Sequence, residues 1–384
     1  MRVIPDFKEI AKGVINEKAS SGRAGRRLKE IGMTEMHRRE KRLFSLGVTI
    51  FLLVLLCGCS KKVSDSSNEE LPQKVIVAYV TSWSQVLPDP TVMTHLNYAF
   101  GHMADSFDGV KIDNPERFSR LIELKKENPN LKILLSIGGW GSGRFSEMAA
   151  SVSLRNAFAQ DCRRIIEEYG IDGIDIDWEY PTIGWAGISN SPDDTENFTK
   201  LMHAVRKEIG KDKLLTMASS ATAKYVDFKA ISPVIDFVNL MTYDMSDGHL
   251  HHSALYPSSI TPEFTSSLSV KAHKDAGLSN NQIVLGMPFY GRGIREGETF
   301  YYDYKNIEIG EGESISWDPE ARVPFLADSI GNFVFGFDNP RSIAIKCDYI
   351  LENDLKGAMY WDYNGDDSIK SLSKTIYKTL FETK

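Results

Sequence analysis

Hydrophobic and polar positions follow a repeating pattern from residue 75 to the end of the chain. Short runs rich in β-branched residues are bounded by glycine and polar residues, and amphipathic stretches separate these runs. Runs of this kind are typical of strands covered on both faces, which favours a parallel sheet. The pattern predicts eight strands, at residues 75–83, 95–103, 132–140, 170–180, 214–221, 237–244, 283–291 and 357–365.

Helix signals occupy the stretches between these strands. Ser153 is predicted to cap a helix that ends at Gly170, with Phe158 and Cys162 on its buried side. Pro192 is predicted at the first position of the next helix. Alternating strands and helices indicate an α/β fold and favour a closed (β/α)8 TIM barrel, although an open doubly wound sheet has the same pattern.

The connection between the seventh and eighth predicted strands is long, about residues 292–340, and it is rich in aromatic residues. We interpret it as a short β-rich insertion beside the barrel. The barrel with this insertion is predicted to occupy residues 75–384.

The beginning of the chain has a different composition. A basic cluster at residues 38–42 precedes the apolar run 43–56, and the small residues after it include Cys59. This order predicts a signal peptide over residues 36–59, because the apolar run is too short for a comfortable membrane span.

The residues on either side of this signal are polar. Residues 1–35 are unusual for an export signal, so Met33 or Met36 is a candidate for the true start and the preceding residues for an extension. Residues 60–74 lack periodicity and are predicted to form a flexible tether.

Composition and charge narrow the class of protein. The chain has 384 residues, 42% of them hydrophobic, which is enough for a full core. A formal net charge of −7 argues against a nucleic-acid partner. Cys162 and Cys347 lie outside the signal and are predicted to be free, buried thiols. We expect a monomer.

Candidate chemistry concentrates in the stretch GIDGIDIDWEYP. Its acidic residues are Asp172, Asp175, Asp177 and Glu179. If the stretch is a strand, the last three share one face and Trp178 lies on the other. Carboxylates two residues apart stand roughly 7 Å from each other, so mutual repulsion should leave at least one protonated near neutral pH. A protonated carboxyl at the end of the row suits a general acid.

Less specific interpretations of this stretch are a solvated acidic strand and a calcium loop. A calcium loop needs more Gly, Asn and main-chain turning than this β-branched stretch offers. Strand-forming residues between the acids instead favour a catalytic row.

Tryptophan residues follow or end several predicted strands. Trp83, Trp140 and Trp361 lie at the ends of the first, third and eighth strands. The chemistry of such barrels sits at these strand ends, and flat apolar rings suit the C–H faces of sugars. Core packing is the alternative for any one of them.

Three histidines, His249, His251 and His252, follow the sixth strand. Their spacing matches no known zinc pattern, so we predict no metal site and interpret the segment as a loop beside the cleft.

The stretch DGIDIDWE resembles the DxxDxDxE signature of glycoside hydrolase family 18, the chitinase family, and the resemblance covers residues 75–384. It implies a (β/α)8 barrel that hydrolyses β-1,4-linked N-acetylglucosamine polymers such as chitin. It also implies substrate-assisted retaining catalysis, which is an exception to the two-carboxylate scheme, and no cofactor.

Residue roles within the signature follow from the resemblance. Glu179 matches the general acid, Asp177 the carboxylate that orients the substrate acetamido group, and Asp175 the inner partner that shares a proton with it. Asp172 matches a structural member of the motif. Tyr243 matches the hydroxyl that holds the acetamido group.

Other positions are assigned to substrate binding or to the supporting motif. Trp361 matches the floor under the scissile sugar, and Ser136 belongs to an SxGG segment with the structural residues Gly138 and Gly139. The remaining predicted substrate-binding residues are Asp244, Met241, Tyr290, Arg292, Trp140, Tyr79 and Phe100.

Residues 56–59, LCGC, resemble a bacterial lipobox. The resemblance implies cleavage before Cys59 and lipid attachment to its sulfur. The expected location is the cell envelope, facing the periplasm or the cell surface, with the membrane as a partner through the lipid; a plain signal peptide would instead give a secreted protein, and a single-span anchor is a further alternative.

Two other functions share the barrel. An endo-β-N-acetylglucosaminidase acting on glycoprotein or peptidoglycan-type glycans has the same acidic signature, although WEYP, MTYD and PFYGR favour a chitinase. A non-catalytic chitin-binding lectin typically lacks the terminal acid, and Glu179 is present here.

Overall fold

The computed structural model describes residues 74–295 and 297–382, which contain a nine-stranded sheet. Eight of its strands are parallel: β1 (Val75–Thr81), β2 (His95–Met103), β4 (Lys132–Gly138), β5 (Gly173–Asp177), β6 (Leu214–Ser220), β7 (Phe237–Met241), β8 (Ile283–Pro288) and β14 (Gly357–Trp361). They pair in this order, and β14 pairs with β1 to close the barrel. The predicted (β/α)8 barrel is therefore confirmed.

Helices follow most of the barrel strands. They are α1 (Pro115–Ile122), α2 (Phe145–Ala150), α3 (Val152–Tyr169), α4 (Asp194–Ile209), α5 (Phe228–Ile231), α6 (Ser266–Asp275), α7 (Pro340–Glu352) and α8 (Ser371–Tyr377). The short strand β3 (Val110–Ile112) pairs antiparallel with β2 at the barrel rim.

The core has two layers because neighbouring residues of a strand point to opposite faces. Ile174 and Ile176 on β5 belong to the large apolar cluster between the strands and the helices. Tyr79, Val284 and Met359 belong to a second cluster that fills the barrel. Residues on the outward face of each strand therefore pack against the helices and stabilise the fold, whereas residues on the inward face line the barrel interior.

The insertion between the seventh and eighth barrel strands is a five-stranded antiparallel sheet. Its strands are β9 (Tyr290–Arg295), β10 (Glu298–Asp303), β11 (Ser314–Asp318), β12 (Val323–Ala327) and β13 (Phe333–Gly336). Strand β9 starts immediately after Phe289, which follows β8. The first residues of the insertion are consequently placed at the rim of the barrel.

Several predicted boundaries were wrong, and the strands expected to end at residues 83, 140, 244, 291 and 365 end at Thr81, Gly138, Met241, Pro288 and Trp361. The strand expected over residues 170–180 is the shorter β5, since its pairing with β4 ends where Asp177 meets Gly138. Ser151, rather than Ser153, caps α3 and accepts a hydrogen bond from the Leu154 amide at 3.4 Å.

Pro192 was predicted at the first helical position, but α4 begins at Asp194. The Asp194 carboxylate accepts hydrogen bonds from the Ser191 amide at 2.7 Å and from the Thr182 amide at 3.2 Å. These bonds stabilise a turn through Pro192 in place of a first helical turn.

Cys162 and Cys347 are free and buried, as predicted. The predicted extension, signal peptide, lipidation site Cys59 and most of the tether lie outside the described residues. Among the helices of the described ranges, none is long and apolar enough to cross a membrane.

Candidate active site

The carboxylate row begins inside the barrel and ends at its rim. Asp175 and Asp177 are buried residues of β5, which ends at Asp177, and Glu179 follows the strand and is partly exposed. Trp178 points away from them and packs against Phe145, with ring centroids 5.3 Å apart. The alternation of side chains between the two faces therefore continues beyond the end of the strand at Asp177, and Trp178 lies on the face opposite to the acids.

Asp175 is held by side chains from four other barrel strands. The hydroxyls of Tyr79 and Ser136 donate to its Oδ2, both at 2.8 Å. Thr216 Oγ1 donates to Oδ1 at 2.6 Å and Asn239 Nδ2 at 3.2 Å. Burial raises the pKa of Asp175, and these hydrogen bonds only partly oppose that effect.

Asp177 lacks such support. Its Oδ1 is buried and has no hydrogen-bond partner among the described residues. Burial raises the pKa of Asp177 well above its usual value, and the neighbouring charges of Glu179 and Asp175 raise it further. The protonated form of Asp177 is therefore favoured, and its unpaired oxygen is available to a ligand.

Glu179 has the protonation behaviour of a general acid. Burial of its carboxyl group and the negative charge of Asp244 raise its pKa to about 7, although a hydrogen bond from Tyr180 opposes the shift. A carboxyl with this pKa holds a proton at neutral pH and can also release it.

Opposite Glu179, an aromatic floor lies at the end of β14. The partly exposed Trp361 stacks on Phe100, with centroids 5.6 Å apart and planes 21° apart. Tyr79 lies 5.6 Å and Trp83 6.4 Å from the same ring. Since β14 and β5 are on opposite sides of the closed barrel, a sugar resting on this floor would face the carboxylate row.

Further predicted residues line a third side, after β7 and at the start of the insertion. Tyr243 and Tyr290 are buried with ring centroids 6.1 Å apart, and Met241 is partly buried beside them. The Asp244 carboxylate is 2.7 Å from the Arg292 guanidinium. Burial opposes ionisation of Asp244, but Arg292 and hydrogen-bonding neighbours hold its pKa below the usual value.

Two glycines of the SxGG segment are required by space and backbone conformation. Gly138 has φ 129°, and a Cβ there would lie 2.0 Å from the Asp177 carbonyl oxygen. Gly139 has φ 89°, and its Cβ would meet the Phe100 ring at 2.6 Å. Both the carboxylate row and the aromatic floor therefore approach this segment too closely for a side chain.

Of the remaining predicted residues, Asp172 lies apart from this cluster. Asp172 precedes β5, accepts a hydrogen bond from the Ile133 amide at 2.8 Å and forms an ion pair with Lys125 at 2.5 Å. Its place at the opposite end of the strand agrees with a structural role. Trp140 is partly buried in the loop after β4.

Sequence reasoning missed Thr216, Asn239 and Tyr180, and it placed His252 only in a loop beside the cleft. Asn239 is the one polar residue of its strand FVNLM, a signal that could have identified it, whereas the strand of Thr216 also contains Ser219 and Ser220. The histidine segment is next to the cleft only in part, because His252 is fully buried beneath Asp244 and His251 lies against the insertion. In the described part of the chain, no group of three or more His, Cys, Asp or Glu side chains is arranged to hold a metal ion.

Comparison with known proteins gives a consistent result. Residues 75–366 match the model for glycosyl hydrolases family 18. The chain is 28% identical over 439 residues to chitinase A1 of Niallia circulans, across 88% of this chain and 62% of that protein's length. It is 30% identical over 345 residues to chitinase 1 of Aphanocladium album, across 79% of this chain and 80% of the relative.

A solved structure is also similar. It is that of a glycoside hydrolase family 18 N-acetylglucosaminidase from Paenibacillus barengoltzii, with a TM-score of 0.74 and 33% identity. The alignment covers 80% of this chain and 100% of the other.

Proposed function

Since the chain belongs to glycosyl hydrolases family 18, we propose that it is a chitinase that hydrolyses β-1,4-linked N-acetylglucosamine in chitin and chitooligosaccharides. The observation that carries the proposal is the pair Asp177 and Glu179. One is a buried carboxyl that favours its protonated form, and the other is a rim carboxyl with a pKa of about 7.

In the first step, Glu179 gives its proton to the glycosidic oxygen as the bond from that oxygen to C1 breaks. The oxygen of the substrate's own acetamido group bonds to C1 and forms an oxazolinium ion. Asp177 and the Tyr243 hydroxyl orient the acetamido group for this attack. Asp175, fixed by its four donors, keeps Asp177 in place.

In the second step, the ionised Glu179 takes a proton from water as the water oxygen attacks C1. The bond from C1 to the acetamido oxygen breaks, and the sugar leaves with its original anomeric configuration. Glu179 is then protonated again. This sequence needs one rim acid, in agreement with the separate roles of the two carboxyl groups.

The proposal is tested by the time course of products from chitohexaose with anomer analysis. Shorter oligosaccharides that first appear as the β-anomer are expected. Release of the α-anomer, or equal turnover of fully deacetylated chitosan oligomers, would contradict participation of the acetamido group.

An alternative function is cleavage of glycoprotein or peptidoglycan-type glycans by an endo-β-N-acetylglucosaminidase. The support for this alternative is that one of the similar solved structures is described as an N-acetylglucosaminidase. Assay of a high-mannose glycopeptide beside chitohexaose distinguishes the two, because an endo-β-N-acetylglucosaminidase would prefer the glycopeptide.

We further propose that the protein is an envelope lipoprotein attached through Cys59. The support is the order of basic cluster, apolar run and LCGC in the sequence. Incorporation of labelled fatty acid into the wild-type chain and its loss in Cys59→Ala would support lipidation, whereas equal labelling of both would exclude this site.

A further inference from the structure

A short segment after β7 connects the cleft to the insertion. We call residues 251–253 the HHS segment. Its three side chains each approach a different carboxylate: His251 Nε2 lies 3.3 Å from Asp318 Oδ2, His252 Nδ1 3.6 Å from Asp244 Oδ1, and Ser253 Oγ 2.7 Å from Asp338 Oδ2. Asp318 ends β11 and Asp338 precedes α7. The middle residue therefore reaches the cleft, while its two neighbours fasten the segment to other elements.

His252 Nδ1 faces both the main-chain amide and the carboxylate of Asp244. The Asp244 main-chain amide donates to His252 Nδ1 at 3.3 Å, an arrangement that needs the tautomer with its ring proton on Nε2, a buried nitrogen without a hydrogen-bond partner among the described residues. The side chain is fully buried, and its ring lies 5.3 Å from that of Tyr290. Burial lowers the pKa of His252, although the Asp244 carboxylate opposes this, and the neutral ring is favoured.

Asp244 has an unusual backbone that this contact supports. Its φ is +54°, in the left-handed region that residues with a Cβ rarely adopt. The residue directly follows Tyr243, and its carboxylate lies 2.7 Å from Arg292 on β9. Without an acceptor at His252, the amide of a strained residue would lose its partner in a partly buried place.

We propose that His252 is a positioning residue for the hydrolytic reaction, holding Asp244 in its left-handed conformation so that the carboxylate and the adjacent Tyr243 face the bound sugar. The proposal rests on the proposed function for its kinetic consequence. His252 touches neither the substrate nor the reacting atoms and acts through Asp244.

The test uses two substitutions at this position. His252→Phe keeps a flat ring and removes the acceptor, whereas His252→Asn retains a hydrogen-bonding oxygen close to the position of Nδ1. We expect kcat/KM for chitohexaose to fall on the order of 10- to 100-fold in His252→Phe, because small displacements of positioning groups have effects of this size. His252→Asn is expected to recover most of the loss.

His251→Phe is the matched control. His251 is as deeply buried as His252, but its ring packs edge-on against Phe325 and Phe333 of the insertion. We expect this variant to lose thermal stability while kcat/KM per folded molecule stays within about twofold of the wild type, as for a site without contact to the catalytic groups. Equal losses of kcat/KM in His251→Phe and His252→Phe, or no difference between His252→Phe and His252→Asn, would overturn the positioning role.

Crystal structures of the His252 variants provide a readout that is independent of substrate. In His252→Phe, the Asp244 backbone is expected to leave the left-handed region and its carboxylate to move away from Arg292, whereas His252→Asn keeps both. An unchanged Asp244 in His252→Phe would refute the proposal. If the wild-type enzyme fails to hydrolyse chitohexaose, the proposed function fails, and these structures still decide the role of His252.

Discussion

Asp177 and Glu179 carry the same functional group in different surroundings. Asp177 is enclosed within the barrel with one oxygen unpaired, and Glu179 lies at the rim. Enclosure favours the protonated form of Asp177, while Glu179 has a pKa of about 7. The different positions of the two carboxyl groups, one enclosed and one at the rim, suit an orienting group and a general acid respectively.

Substitution Glu179→Gln should remove most of the turnover. The amide has the shape of the acid but no proton to give, so kcat for chitohexaose is expected to fall by about 10²- to 10⁴-fold. Binding should persist and is measured by calorimetry on the same variant. Undiminished kcat would mean that another group is the acid.

The pH dependence of the enzyme follows from the same residue. Glu179 must be protonated to act as an acid, so kcat/KM should decline as the pH rises through about 7. Asp244→Asn removes a negative charge that raises the pKa of Glu179. The decline should therefore shift to lower pH in that variant, whatever happens to the maximum rate.

The measurement is a pH profile of kcat/KM for the wild type and Asp244→Asn. Asp105→Asn is the control, since this carboxylate is exposed and forms an ion pair with Arg144 rather than with a cleft residue. A decline at the same pH in Asp244→Asn and the wild type would contradict the electrostatic effect of Asp244 on Glu179.

At the scale of elements, a buried ion pair secures the return from the insertion to the barrel. Lys346 on α7 lies 2.6 Å from Asp338, and both side chains are fully buried. The Ser253 and Ser342 hydroxyls also donate to Asp338. The loop after β7, the end of the insertion and helix α7 thus share one carboxylate.

Breaking this pair should destabilise the protein strongly. Lys346→Met leaves the Asp338 carboxylate buried without its cation, which typically costs about 3–5 kcal/mol. Urea unfolding measures the free energy of unfolding. Lys271→Met is the control, because Lys271 and Asp275 form an exposed pair on α6 that should contribute less than about 1 kcal/mol. Similar losses in both variants would contradict the special role of the buried pair.

At the scale of the whole molecule, the barrel depends on contact between the first and last strands. Gly357 pairs with Val75, and a Cβ at Gly357 would lie 1.9 Å from the Val75 carbonyl oxygen. The backbones of the two strands are so close at this position that a methyl group does not fit between them. Closure of the barrel also brings Trp361, at the end of β14, next to Tyr79 on β1.

Gly357→Ala should consequently reduce stability across the molecule. Displacement of β14 from β1 is expected to cost about 1–3 kcal/mol, the usual range for overpacking. Calorimetric unfolding should show a lower Tm for this variant. Gly143→Ala is the control, since the nearest atom to its Cβ is at an ordinary 3.6 Å, and an equal loss there would contradict the steric argument.

The sequence by itself determined the order of strands and helices and the direction in which Asp175 and Asp177 point. Both follow from short-range physics, because the period of two assigns every strand residue to one face. It also indicated Glu179 as the terminal acid, although this residue lies beyond the strand rather than on it. The end of β5 depends on where the neighbouring strand β4 stops pairing with it, and the local sequence pattern contains no information about that pairing.

Tertiary structure decided which distant residues complete the site. Thr216 and Asn239 reach Asp175 only because the strands close into a barrel with one register. The same closure places Trp361 across from Glu179, and the return of the HHS segment places His252 under Asp244. These contacts join residues far apart in the chain, so their geometry arises from packing and register and is absent from any single stretch of sequence.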